Sequence, residues 1–269
     1  MATDREVLRD LWDGKLPVCF VLNDEEVCDL QTPEAFYLMV PRLSYFPLVW
    51  DKVRKHFIKH VHADHHDMEM WLDYNGTPLK WHYPIGLLFD LYAYDTQLPW
   101  TLTVHFEKFP ENILLHCGSR EVVESHFMST LKEADALKHK GQVMNTMQKR
   151  DHNQLWLGLQ NDKFDQFWSV NKKLMDTSST DGEFKHIPFR IYCSDEGPFI
   201  QKLVKPFTED SQPKLLQNLI EEIFPDTCKQ VCVITHGIEL SLDVPLQWMS
   251  EHMSYPDNFL HLCIVSNTS

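Results

Sequence analysis

The chain has 269 residues, with 25 Lys and Arg against 39 Asp and Glu, for a formal net charge of −14. That balance repels phosphate backbones and anionic headgroups at long range and speaks against a nucleic-acid partner, while the length allows two or three small domains, each with a core of its own. No run nears the ~18 apolar residues of a membrane-spanning helix, and the opening Met-Ala-Thr-Asp-Arg-Glu is too acidic for a signal peptide, so a cytoplasmic protein is expected.

A short helix comes first. Thr3 and Glu6 form a capping-box pattern, Val7, Leu8, Leu11 and Trp12 share one apolar face, and Gly14 offers a stop. About ten residues do not make a stable helix alone. The face of this segment, residues 1–14, therefore has to dock, on the rest of the chain first, and a partner helix can share the groove.

Residues 15–108 read as strand, strand, helix, strand, strand, short helix, strand. Pro17 to Leu22 and Phe36 to Val40 are apolar runs joined through an acidic connection, as in a hairpin. Leu43, Tyr45, Leu48, Val49, Val53, Phe57 and Val61 recur at helical spacing. Met70 to Tyr74 and Leu79 to His82 flank Asn75-Gly76, a strong hairpin turn. Ile85 to Tyr92 is a short apolar helix after Pro84, and Trp100 to Phe106 alternates as a half-buried strand. This is the β-grasp order of ubiquitin.

Residues 109–185 contain a helix-rich region. Asp151 to Gln160 carries Leu155, Trp156 and Leu159, while Phe164, Phe167, Trp168 and Met175 form an out-of-phase stripe, which two helices joined near Asn161-Asp162 explain. Asp176 to Glu183 is a polar linker. The β-grasp order then recurs over residues 186–269: strands at Phe189 to Cys193 and Phe199 to Val204, a helix at Leu215 to Phe224, a strand at Val231 to Thr235, a short helix at Leu246 to Met253 and a closing strand at Phe259 to Val265. The expected fold class is α+β, with two ubiquitin-like β-grasp domains flanking a helix-rich domain and a short N-terminal helix in front.

The helix around His126 to Lys140 holds the most distinctive surface residue. On a wheel of about 100° per residue, Val123, Phe127, Leu131, Ala134 and Leu137 form one apolar stripe. Lys132 falls opposite, among the short side chains Ser125, Ser129 and Ala136. Lys138 lies at the stripe and Lys140 to one side. An exposed lysine is ordinarily a solvating charge, and the wheel by itself shows only that Lys132 is available.

Other chemistry is thinly encoded. His56, His60, His62, His65 and His66 with Asp64 and Asp67 are dense enough to suggest a metal, but no cysteine is near and the segment after Val61 looks like a connector, so surface histidines are expected and no metal. Cys117 beside His116 could be a thiol nucleophile, although chain neighbours rarely point at each other. Seven cysteines without a Cys-x-x-Cys pair, Cys228 and Cys232 included, fit reduced thiols, and nine glycines form no nucleotide-binding motif. No cofactor is expected. The tail Val265-Ser-Asn-Thr-Ser269 lacks the Gly-Gly that activates a ubiquitin-like modifier, so the chain is expected to bind or to be modified.

Several blocks resemble the autophagy protein 5 family: Asp51-Lys-Val-Arg-Lys-His-Phe57, Gly76-Thr-Pro-Leu-Lys-Trp-His-Tyr-Pro-Ile-Gly86, Phe127-Met-Ser, Lys132-Glu-Ala-Asp-Ala-Leu-Lys-His139, Asp151-His-Asn-Gln-Leu-Trp156, Phe164-Asp-Gln-Phe-Trp168 and Leu246 through His261. The resemblance implies that Lys132 matches the acceptor lysine that forms an isopeptide bond with the C-terminal glycine of the ubiquitin-like autophagy protein 12. It further implies conjugation by autophagy protein 10, binding of the conjugate to the coiled-coil autophagy protein 16, and recruitment of autophagy protein 3, so that autophagy protein 8 is transferred to phosphatidylethanolamine at the phagophore. Such a protein is a scaffold that reaches the membrane through its partners and has no catalytic residue. Val7, Leu8, Leu11 and Trp12 are the expected contacts for the partner helix. The rivals are a thiol-dependent conjugating enzyme using Cys117 and a ubiquitin-like adaptor that is never modified.

Overall fold

The structure is a computed structural model and describes residues 4–177, 183–193, 197–225 and 231–266. Thr3, Cys228, Asp195 and Glu196, residues 178–182 of the polar linker and residues 267–269 of the tail lie outside the described residues. Two compact units emerge, one of residues 14–124, the other of residues 1–13 with 125–269.

The unit of residues 14–124 is built on a five-stranded sheet in the order β2-β1-β5-β3-β4. β1 (Lys15–Leu22) runs antiparallel to β2 (Phe36–Pro41), with Lys15 opposite Pro41 and Phe20 opposite Phe36, and parallel to β5 (Trp100–His105). β3 (Trp71–Tyr74) joins β5 antiparallel, and β4 (Thr77–Pro78) closes the edge. The apolar positions that alternate along β1 and β5, among them Val18, Phe20, Trp100, Leu102 and Val104, meet Phe46, Val53, Phe57 and Leu88 in one core. Ile85–Tyr92 forms α4 as expected.

Two expectations need correction here. The single helix over residues 43–61 is broken into α2 (Phe46–Val49), α3 (Asp51–Phe57) and a 3₁₀ turn at Ile58–His60. Pro47 sits in the first turn of α2, where its missing N–H costs nothing, and it fixes the start there. The strand expected at Leu79 to His82 lies instead at Thr77–Pro78. Asn75 and Gly76 both have positive φ, 51° and 82°, and make a two-residue turn, so Thr77 pairs with Tyr74 at once. After Pro78, which has no amide to give, one more bond follows, from Leu79 N to Leu72 O at 2.9 Å.

In the other unit, α1 (Arg5–Asp13) is capped by Asp4, whose Oδ1 accepts from the Val7 amide at 3.2 Å. Helices α5 (Arg120–His139), α6 (Gln142–Thr146), α7 (Lys149–Gln160) and α8 (Phe164–Asn171) follow, with a 3₁₀ turn at Lys172–Met175. The turn between α7 and α8 places Asp162 at φ 53°, and Gly158 lets the Phe167 backbone approach so closely that a Cβ there would sit 2.8 Å from its nitrogen. The phase change in the sequence is this turn.

The second sheet has four strands in the order β6-β9-β7-β8. β6 (Phe189–Cys193) is parallel to β9 (Leu260–Ser266), which is antiparallel to β7 (Val231–Thr235), and β8 (Ile238–Glu239) forms a hairpin with β7. α9 (Leu216–Ile223) and α10 (Leu246–His252) cover it through Leu216, Leu219, Ile220, Leu246 and Met249. The strand expected at Phe199 to Val204 is reduced to a bridge between Ile191 and Ile200, with a further bond from Ile187 N to Val204 O at 2.8 Å. Both contacts keep one antiparallel register. Lys202 and Leu203 between them are exposed and bury nothing that would close the gap. β8 was not expected; its turn, His236-Gly237 at φ 53° and 77°, has the same left-handed pair as Asn75-Gly76 with histidine in place of asparagine.

Candidate functional site

Helix α5 is the base of the candidate site. Glu121 sits in its first turn and Lys138 and His139 in its last, each where the helix dipole favours that charge. The left-handed residues Lys140 and Gly141 stop it at His139. Val123, Phe127, Leu131 and Ala134 are all fully buried, and Phe127 lies 6.1 Å from the Trp156 ring. On the opposite face Lys132 is exposed, and so are Ser125, Ser129 and Ala136. No large side chain from these positions covers the amine.

The second lysine of the helix has the opposite fate. Lys138 is 0% exposed; its Nζ lies 3.3 Å from Met175 Sδ and 4.5 Å from the centre of the Phe184 ring. Burial pushes its amine down to about 7, against the opposing pull of Glu251, Asp135 and Asp257. Around it the C-terminal half of α5 is fastened: Lys185 N and His186 N donate to the carbonyls of Lys138 and Leu137 at 3.0 and 3.1 Å, and His139 Nε2 meets Leu174 O at 3.0 Å. These bonds occupy carbonyls that a helix end otherwise leaves open.

One residue beyond Lys132, Glu133 closes a ring of three side chains. Its Oε2 accepts from Arg190 Nη2 at 2.8 Å, its Oε1 from Gln201 Nε2 at 3.0 Å, and Arg190 Nε donates to Gln201 Oε1 at 3.3 Å. The Arg190 guanidinium lies 4.1 Å from the Phe259 ring centre and 4.7 Å from that of Phe199. Sequence reasoning did not find this ring, since its members are 57 and 68 positions apart from Glu133. The one available signal was an arginine inside the otherwise apolar strand Phe-Arg-Ile-Tyr-Cys.

The residues expected at α1 divide. Leu8 and Trp12 are buried, and Trp12 meets Phe164 edge-on at 5.9 Å and Phe167, tilted, at 5.0 Å on α8. Val7 and Leu11 are half-buried, Leu11 packing against the core of the second sheet. Arg5 and Arg9 reach Asp165 at 2.5 and 3.2 Å.

Cys117 is not set up as a nucleophile. Burial, then the nearby Glu69 carboxylate, pushes its thiol up to about 12, so it stays protonated. Both ring nitrogens of His116 are committed to carboxylates, Glu69 at 2.8 Å and Glu111 at 2.9 Å, while the Cys117 thiol donates to Ser119 O at 3.8 Å. The histidine group is likewise dispersed. His56 bonds Glu34 O at 2.9 Å, His60 pairs with Asp29, His65 lies 2.8 Å from Glu107, and His66 meets Val61 O at 3.3 Å. Among the described residues no three His, Cys, Asp or Glu converge as metal ligands.

Three family models match the chain: "Autophagy protein ATG5, UblA domain" over residues 11–106, "Autophagy protein ATG5, alpha-helical bundle region" over 120–177 and "Autophagy protein ATG5, UblB domain" over 186–264. Autophagy protein 5 of Drosophila melanogaster is 53% identical over 265 residues, 98% of each chain. The chain belongs to the autophagy protein 5 family. Another member, autophagy-related protein 5 of Caenorhabditis elegans, is 32% identical over 97% of this chain and 98% of its own. The crystal structure of Kluyveromyces marxianus Atg5 superimposes with a TM-score of 0.83 at 21% identity, over 96% of this chain and 99% of that one, a likeness of fold. Membership in the autophagy protein 5 family places the protein in autophagy and fits the two ubiquitin-like sheets and the helical region. No helix among its described residues is long and apolar enough to cross a membrane.

Proposed function

We propose that the chain is a non-catalytic acceptor and scaffold whose Lys132 is joined by an isopeptide bond to the ubiquitin-like autophagy protein 12. The observation that carries this reading is the contrast within α5, where Lys132 is exposed among short exposed side chains while Lys138 is enclosed. The chemistry of this reading is what the family resemblance implies. A lysine side chain is an ammonium ion in neutral water, so the conjugating enzyme, autophagy protein 10, has to remove a proton first. The neutral amine nitrogen then attacks the thioester carbonyl of the charged enzyme, the carbon–sulfur bond breaks as the carbon–nitrogen bond forms, and a second proton passes from nitrogen to sulfur, so that the enzyme leaves as its thiol. What α5 contributes is a fixed position for the amine.

In the same reading the linked modifier is held at high effective concentration over the adjoining surface, so a weak contact fixes its orientation. The conjugate, in the cytoplasm and bound to autophagy protein 16, acts like a ubiquitin ligase that recruits autophagy protein 3 and promotes lipidation of autophagy protein 8 with phosphatidylethanolamine at the phagophore. Docking of protein 16 uses α1, with half-buried Val7 and Leu11 keeping surface for a partner and buried Leu8 and Trp12 holding the helix in place. Functionally the chain divides into residues 1–14, 15–108, 109–185 and 186–269. Reconstitution with activating enzyme, conjugating enzyme and modifier tests the acceptor assignment. Lys132→Arg is expected to melt as the native chain does and to give no conjugate, whereas Cys117→Ser conjugates normally. Conjugate formed on Lys132→Arg through Lys140 overturns the assignment, and a thioester on Cys117 revives the enzyme reading.

A further inference from the structure

We infer that Glu133, clamped by Arg190 and Gln201, is a positioning residue for the acceptor lysine, an inference that rests on the reading of Lys132 as acceptor. Lys132 sits on the exposed face of α5, among the short side chains Ser125, Ser129 and Ala136, which leave its amine open and are too short to brace it. Orientation of that face comes from the backbone: the buried stripe of Phe127, Leu131 and Ala134 and the bonds at the C-terminal end seat the helix as a whole, and Glu133 ties it next to the lysine itself. Glu133 uses both carboxylate oxygens, one on Arg190 at 2.8 Å and one on Gln201 at 3.0 Å. Two bonds to two different residues restrict movement of the Glu133 carboxylate in more than one direction, which one bond does not.

The clamp is itself rigid. Arg190 issues from β6, and its guanidinium lies against two aromatic rings with Nη2 and Nε each committed, contacts that restrict how its planar group can turn. The Glu133 side chain is 46% exposed, whereas that of Arg190 is 11% exposed. A pair so placed contributes little to global stability. Its geometry is nonetheless suited to hold one register between α5 and the sheet. For attack on a thioester the nitrogen must reach the carbonyl along a narrow approach, and a displacement of about 1 Å can cost about a hundredfold in rate.

The test is single-turnover transfer from the thioester-charged conjugating enzyme to the full-length purified chain, with the rate measured against chain concentration. Glu133→Ala is expected to lower the limiting rate about tenfold with an unchanged half-saturating concentration and an unchanged melting temperature. Glu133→Gln, which keeps an acceptor for Arg190, is expected to recover most of that loss. Gln201→Ala, which cuts one arm of the ring, is expected to give an intermediate rate, and it stands in for Arg190→Ala if that variant does not fold. A native limiting rate in Glu133→Ala overturns the inference, and so does a loss confined to the half-saturating concentration, which marks a direct contact with the enzyme. A native rate in Gln201→Ala does the same. Lys132→Arg runs in parallel: conjugation of that variant sinks the acceptor reading, whereas its failure beside a normal Glu133→Ala sinks only the positioning role.

Discussion

Lys138 shows how much a side chain's surroundings decide beyond its place on a helical wheel. The wheel put it at the apolar stripe, but Met175 and Phe184, which enclose it, come from 37 and 46 positions further along the chain and could not be read from local spacing. Its burial has a pH signature. In the unfolded chain this lysine keeps its proton up to the ordinary value of 10.5, whereas in the folded protein it lets go at about 7. Between those values the unfolded state binds more protons, so stability rises with pH at about 1.4 kcal/mol per unit. Below about 7 both states are protonated and the full cost of the buried charge is present. Lys138→Met removes that cost, so its advantage over the native chain is expected to be largest below pH 7 and to shrink steadily toward pH 10. Urea midpoints at five or six pH values check this, and a constant difference would show that the amine is solvated in the fold. Lys132 was the opposite case: its exposure followed from spacing alone, but its clamp did not, because Glu133, Arg190 and Gln201 meet only through tertiary structure.

Among the elements, periodic segments were legible and broken ones were not. Ile85–Tyr92 and Val231–Thr235 match their expected bounds because nothing interrupts the pattern. The helix expected over residues 43–61 and the strand over 199–204 failed where Pro47 sets a start and where exposed Lys202 and Leu203 leave nothing to bury. For α1 the apolar face was correctly read, and the structure adds what that face touches. Trp12 packs against the rings of Phe164 and Phe167 and is 4% exposed. Removing such a side chain leaves a cavity as well as a lost transfer energy, so Trp12→Ala is expected to destabilise the fold by about 3–5 kcal/mol. Chemical denaturation monitored by circular dichroism measures it; a loss below about 1 kcal/mol would mean that α1 is only loosely seated. The same packing constrains partner studies, since reduced capture of a coiled-coil partner by a Leu8 or Trp12 variant has to be read beside its melting curve. Arg5 and Arg9 on Asp165 add little, being largely exposed pairs.

At the scale of the molecule, the order of elements was legible because each half repeats it, while the boundary between the two compact units, residues 124 and 125, falls inside one uninterrupted helix, α5. Composition cannot mark such a boundary, since no linker lies there. The α1 segment, first in sequence, is grouped with the last half of the chain through contacts such as Trp12 with Phe164. If the acceptor reading holds, the protein purified from its own cells is expected to show, by intact-mass measurement, a species heavier than the bare chain by one modifier minus one water. Finding only the 31.7 kDa chain under conditions that induce autophagy would favour the unmodified adaptor. The paired left-handed turns, Asn75-Gly76 and His236-Gly237, carry one more implication. A two-residue turn has no slack: one inserted residue shifts the following strand by a place and breaks the register of Thr77 on Tyr74 or of Ile238 on Thr235. Chain length is thus frozen at the same point in both sheets, whereas in the connection between β1 and β2 it is free to vary at the exposed residues 30–32, beyond Asn23 and buried Glu26, which are tied to Val104 and Phe106.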